Sequence, residues 1–420
     1  MIQTLGRLGT ACLLLLATLA APAADFTIRN LDADSNSGLA DTSPRDPVGG
    51  NTGRTLGQQR RIALRYGIRI VASRIGSPVA IRIDASVDPD RDDLVCQRNR
   101  ATLGLGGATN YTAGFPGAPV DDVVYPLALA NALAGRRLAD GADLRLFLNG
   151  KLDEPANDCL RGARWYYGLD GNTGANEIDF VGTVVHELIH GLGFQSIVSL
   201  VDSADAPIGA FPVFRNGQRF PDVFSTLIQD VGFTGQPLWP ALRTRARRES
   251  ATNAPFVVWS SAMTNNATTN YITAGRQDGR IRLYAPSTLQ PASSISHWSP
   301  AVTPNQIMEP FESVEDGVGN GLGLAVCVLR DIGWTLSDGV RCPDTNSPTI
   351  AGDSEGTFVE RFAPVASQAR VDSGDGADDN GGGSGGGCTL APGQPFDPVW
   401  WAMCVLAVGV LVRRRRLALG

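Results

Sequence analysis

Three observations predict an α+β fold. Residues 55–75, TLGQQRRIALRYGIRIVASRI, carry Leu56, Ile62, Tyr66, Ile70 and Val71 at helical intervals, and Gly76 and Pro78 close that helix. Residues 79–87, VAIRIDASV, and 142–150, ADLRLFLNG, alternate apolar and polar side chains as half-buried strands do, and 163–170, ARWYYGLD, reads as a third strand. Residues 176–194, NEIDFVGTVVHELIHGLGF, then return to helical spacing. The expectation is a mixed sheet laid down before a long apolar helix. Further along, FPDVFSTLIQDV (220–231), PFVVWSS (255–261) and RIRLYAP (280–286) predict a small, mostly β subdomain, and GLGLAVCVLRDIGW (321–334) a closing helix.

That apolar helix carries the chemistry. His186 and His190 are four apart, so a helix sets both imidazoles on one face, one turn apart. Glu187 lies beside the first. In HExxH the two histidines hold zinc, while the glutamate reaches the attacking water instead of the metal. Zinc brings the pKa of its water to about 7, and the carboxylate removes the proton. A surface helix with two incidental histidines is the plainer alternative. It fits poorly, because the chain has only three histidines and Val184, Val185, Leu188, Ile189 and Leu192 make the helix apolar all round. A buried imidazole needs partners.

Two imidazoles under-coordinate zinc; a catalytic site takes three protein ligands. His297, in SSISHWSP (293–300), is the one histidine left. Asp202, Asp205 and Glu249 are acidic alternatives, none on an evident second helix.

The motif resembles that of the metzincin zinc peptidases, HExxHxxGxxH followed by a methionine turn. His186, Glu187, His190 and Gly193 match, whereas Ser196 stands where the third histidine should be. The pattern is similar to the leishmanolysin-type branch, in which a long insertion separates the GF pair from that histidine. The resemblance covers roughly residues 54–335. It implies a metzincin-like two-lobed zinc peptidase domain with a mostly β insertion before the third ligand, His297. It also implies that Gly193 turns the chain sharply after the helix, that Glu187 is the general base, and that Met308, in NQIMEPF (305–311), is the methionine of the turn. Phe311, and no tyrosine, follows that turn.

The ends have their own patterns. Arg7, an apolar run from Ala11 to Ala20 and the small residues at 21–23 predict a cleaved secretory signal over 1–23; a short membrane anchor is the alternative. Residues 372–387, DSGDGADDNGGGSGGG, cannot bury a core and read as a flexible acidic tether. Cys388 follows, then the apolar run 399–412 and four arginines at 413–416, which the positive-inside rule places in the cytoplasm. Tether, apolar helix and basic tail together resemble bacterial C-terminal sorting signals, with a sorting protease acting near Cys388. A permanent membrane anchor is the alternative.

Seven cysteines suit export. Cys12 leaves with the signal, and Cys388 and Cys404 belong to the tail. Cys96, Cys159, Cys327 and Cys342 remain, an even number that suggests two disulfides. Three pairings exist; Cys96–Cys159 with Cys327–Cys342 is preferred, since each stays within one region of the chain. LDADSNSG (31–38) alternates oxygen-bearing side chains as calcium loops do, but lacks the glycine and distal glutamate of an EF-hand, so a solvated turn is the better reading. Net charge is −6, and no basic stripe suggests nucleic acid.

The expected organisation is a signal peptide (1–23), an N-terminal loop segment (24–53), an N-terminal catalytic lobe with the zinc helix (54–194), an insertion (195–296), a C-terminal lobe (297–343), a linker (344–387) and a tail (388–420). The expected function is an exported, membrane- or surface-tethered zinc endopeptidase acting on protein or peptide. A zinc amidase on a non-protein amide and a surface binding protein with a structural zinc are the competing readings. Glu187 speaks against the last, because a closed structural site wants a fourth ligand where this motif places a base.

Overall fold

A computed structural model describes residues 23–88, 90–154, 158–203, 206–291, 293–311, 321–346, 357–359 and 389–390. The predicted signal peptide, the apolar run at 399–412 and the arginine cluster lie outside the described residues. Among those described, no helix is long and apolar enough to cross a membrane.

The elements that position the site are, in chain order, β1 (Phe26–Asn30), α1 (Leu56–Ala72), β2 (Ile81–Asp88), β3 (Gly104–Ala108), α2 (Leu127–Ala134), β4 (Leu144–Asn149), α3 (Phe180–Gly191), β5 (Ile228–Asp230), α4 (Thr244–Ser250), β6 (Val257–Trp259), α5 (Ala262–Ala267), α6 (Ala325–Ile332) and β7 (Thr357–Val359). The main sheet has the order β7-β1-β2-β4-β3. Every neighbouring pair in it is parallel except β3, which runs antiparallel to β4 at the edge, with Gly106 opposite Leu146. The fold is therefore mixed α+β.

The helix predicted at 55–75 forms and stops at Ala72. Thr55 accepts from the Gln58 N–H while the Gln58 side chain reaches back to the Thr55 N–H, a capping box that fixes the start. Ile75–Gly76 leaves the helix to pair with Thr335–Leu336. The strands predicted at 79–87 and 142–150 are β2 and β4. The third, at 163–170, shortens to Arg164–Tyr166 and pairs with Glu177–Asp179 outside the main sheet.

Three expectations need correcting, the third being the start of the linker. The segment 24–53 is not all loop: β1 lies in it, with Phe26 and Ile28 buried and Ile28 in register with Ile83. The insertion is less β than predicted. It holds one ribbon of β5 with β6, a hairpin of Arg276–Gln277 with Arg280–Ile281, the short helices α4 and α5, and much irregular chain. Trp239 and Trp259 are buried, and Trp259 meets Trp298, just past the insertion's end, so bulky aromatic packing does what strand pairing was expected to do.

Both preferred disulfides form, Cys96–Cys159 and Cys327–Cys342. The packed body continues past residue 343. The Asp344 carboxylate is buried and accepts from Arg74 Nε at 2.6 Å and from the Leu322 N–H at 3.1 Å. β7, within the predicted linker, pairs with β1, and Thr389–Leu390 pairs with Arg100–Thr102. Residues 31–38 form a turn stitched inward. Asp32 accepts from Leu39 N–H, Val87 N–H and Ser86 Oγ at 2.5–3.0 Å, so its oxygens are engaged with the protein.

Removing one partner of a buried ion pair leaves an uncompensated charge. Asp344→Ala should therefore cost about 3–5 kcal/mol of stability, read from urea unfolding with both disulfides intact. A loss under about 1 kcal/mol would show that Arg74 finds another partner.

Candidate metal centre

Helix α3 is buried along its whole length. Asp179 caps its start, accepting from the Val181 N–H at 2.9 Å. Its end is a Schellman turn: the Gly193 N–H reaches His190 O at 3.0 Å and the Phe194 N–H reaches Ile189 O at 3.1 Å. Gly193 has φ +116°, open to glycine and strained for other residues, and a Cβ there would meet Ile332 Cδ1 at 2.8 Å. The chain then doubles back, and Phe194 O comes to face His190.

His186, His190 and His297 meet in one buried cluster, the only such grouping of potential metal ligands among the described residues. Their Nε2 atoms lie 3.0 Å (186–190), 3.2 Å (186–297) and 3.1 Å (190–297) apart. On the far side of each ring stands a backbone carbonyl: Ile307 O at 2.5 Å from His186 Nδ1, Phe194 O at 2.8 Å from His190 Nδ1, and Ser293 O at 2.8 Å from His297 Nδ1.

A carbonyl oxygen can only accept, so each Nδ1 carries the ring hydrogen and each Nε2 of a neutral ring presents a bare lone pair. Burial also keeps the rings neutral. It pushes His186 down to about 4 and, helped by the neighbouring His186, His297 down to about 3. His190 is held well below its ordinary value by burial first and then by the other two rings. Three lone pairs aimed at one another repel unless a cation lies between them. A tetrahedral ion with nitrogen ligands at about 2.0–2.1 Å sets those nitrogens about 3.3 Å apart, close to the spacing found. The donor set, its spacing and its tautomers all fit a bound metal ion.

The acidic alternatives fall away where they are described. Asp202 is exposed in a loop, and Glu249 is exposed and pairs with Arg245 at 3.0 Å. Asp205 lies outside the described residues.

Glu187 is buried between α3 and the edge strand β3. A Cβ built at Gly104 would sit 3.1 Å from Glu187 Oε1, and one at Gly106 only 2.1 Å from Glu187 O. Strand and helix thus touch backbone to backbone, and only glycine permits the approach. Met308 is buried, the preceding Ile307 O holds His186, and Met308 O accepts from the Trp298 N–H at 2.9 Å, beside His297. One segment therefore braces two of the three histidines.

Sequence reasoning missed β3 and the carbonyl acceptors. The glycines of GLGGA are a weak strand signal, and a carbonyl leaves no mark on residue type. It also passed over Tyr284, which lies across a ribbon from the segment 295–297 with its pKa pushed up to about 12 by burial.

Comparison with known proteins finds no family model that matches this chain and no curated protein that matches it.

Metal content after dialysis against a mild chelator tests the ligand set. His297→Ala should bind metal at least about 100-fold more weakly, while Asp202→Ala and Glu249→Ala keep it. Metal retained by His297→Ala and lost by an acidic variant would make the site His₂-carboxylate.

Proposed function

We propose that this protein is a zinc-dependent endopeptidase with a metzincin-like architecture of the leishmanolysin-like branch. The observation that carries the reading is the convergence of three Nε2 lone pairs at 3.0–3.2 Å with a buried carboxylate, Glu187, directly after the first ligand. An all-imidazole set of three suits zinc and leaves one position open. The order of elements agrees: α1, β2, β4, the HExxH helix, the Gly193 turn, a long insertion, His297 and Met308.

Zinc held there would supply a Lewis acid that polarises a carbonyl oxygen and eases deprotonation of water. The chain supplies the rest. Glu187 accepts the proton of the attacking water as its oxygen bonds to the carbonyl carbon, then delivers that proton to the leaving amine. The carbonyls of Ile307, Phe194 and Ser293 hold the imidazoles in the tautomer and orientation that this requires. β3 supports a peptide substrate over other amides. It is the edge of the main sheet, runs past Glu187, and offers an extended chain a strand to pair with. The two disulfides support export to an oxidising compartment, with the tail as membrane or surface tether.

Glu187→Ala in the full chain should still hold about one zinc per molecule while peptide hydrolysis falls about 10²–10⁴-fold. Metal loss on that substitution, or retained hydrolysis, would sink the assigned role.

A further inference from the structure

Tyr284 lies across a short antiparallel ribbon from the segment 295–297, its carbonyl accepting from the Ile295 N–H at 2.7 Å. The Tyr284 N–H donates to His297 O at 2.9 Å, and the Ser299 N–H donates to Arg282 O at 3.0 Å, with Leu283 and Trp298 bridged between them. Successive residues of a strand project from opposite faces. Leu283 and Trp298 take the core face, where both are buried. Tyr284 and His297 therefore share the other face, the one that carries the metal centre.

The phenol is also held from the side. Its ring stands edge-on to Phe311, with centroids 5.8 Å apart and planes at 80°. Phe311 follows Met308 by three residues, so the segment bracing His186 also braces Tyr284.

We propose that Tyr284 is a catalytic residue whose phenol donates a hydrogen bond to the carbonyl oxygen of the scissile amide as that oxygen gains negative charge. This rests on the peptidase reading above. In the step concerned, the water oxygen bonds to the carbonyl carbon, the C=O electron pair moves onto the carbonyl oxygen, and the water proton passes to Glu187. The phenol keeps its own proton throughout. A donor already aimed where charge develops stabilises the transition state more than the ground state, so its effect falls on kcat.

The test compares Tyr284→Phe with the wild-type full chain, each loaded with zinc or cobalt. The substitution removes one oxygen and keeps the ring against Phe311. The expected result is unchanged metal content, a kcat about 10²–10³-fold lower on a fluorogenic peptide, and KM within about threefold. A second readout needs no turnover. Acetohydroxamate, titrated against the cobalt protein and followed in the d–d absorption, should bind at least about tenfold more weakly to the variant, because its oxyanion loses the same donor. Retained kcat with equal acetohydroxamate affinity overturns the proposal. Loss of metal from the variant also overturns it, by showing that the residue only props up His297. If the wild type cleaves no peptide, the peptidase reading fails separately, and the acetohydroxamate titration alone decides Tyr284: weaker binding supports it and equal binding overturns it.

Discussion

Three imidazole nitrogens face one another across 3.0–3.2 Å in a buried centre, each with its ring hydrogen already committed to a carbonyl behind it. Without a positive charge between them this is a repulsive arrangement. The rest of the molecule can be understood as what holds it. α3 supplies two rings because four residues make one helical turn. The ribbon of 282–284 with 297–299 supplies the third, and the turn at Met308 ties helix and ribbon together.

The insertion follows from the same constraint. His297 is far from the helix in sequence, so a flexible connection would cost loop entropy each time the site assembled. Instead the intervening chain is packed into the main core through Phe224, Trp239 and Trp259, where Trp298 joins them. Trp298 is the next residue after His297, so seating the tryptophan in that interior sets the direction of the imidazole.

The histidine cluster was legible in the sequence because it is built from a rare residue type. With three histidines in the chain, a helical spacing between two of them and an apolar helix around them, few arrangements remain. The paired cysteines were legible for a similar reason. The long periodic elements, α1, β2, β4 and α3, were readable from their apolar spacing, although α1 ends at Ala72 because Ile75–Gly76 is claimed by a strand near the C-terminal lobe. What escaped was whatever tertiary contact decides. β3 is written mostly in glycine, a poor strand former, because Gly106 must admit the backbone of Glu187. β1 is a five-residue strand whose signal lies in two buried apolar residues among polar neighbours. Asp344 reads as linker in sequence and becomes structural only through Arg74, 270 residues away in the chain.

The carbonyls behind the three rings have a further electrical consequence. A carboxylate in that position would lend the imidazole part of its negative charge and dull the ion it binds. A neutral carbonyl orients the ring and lends none. Three neutral ligands with three neutral supports would leave the charge of any cation held there largely unbalanced by the groups that bind and orient it, in a buried, low-dielectric place. Such a centre attracts small anions strongly. Phosphate, carboxylates and other small oxyanions would then compete for the position beside any cation held there.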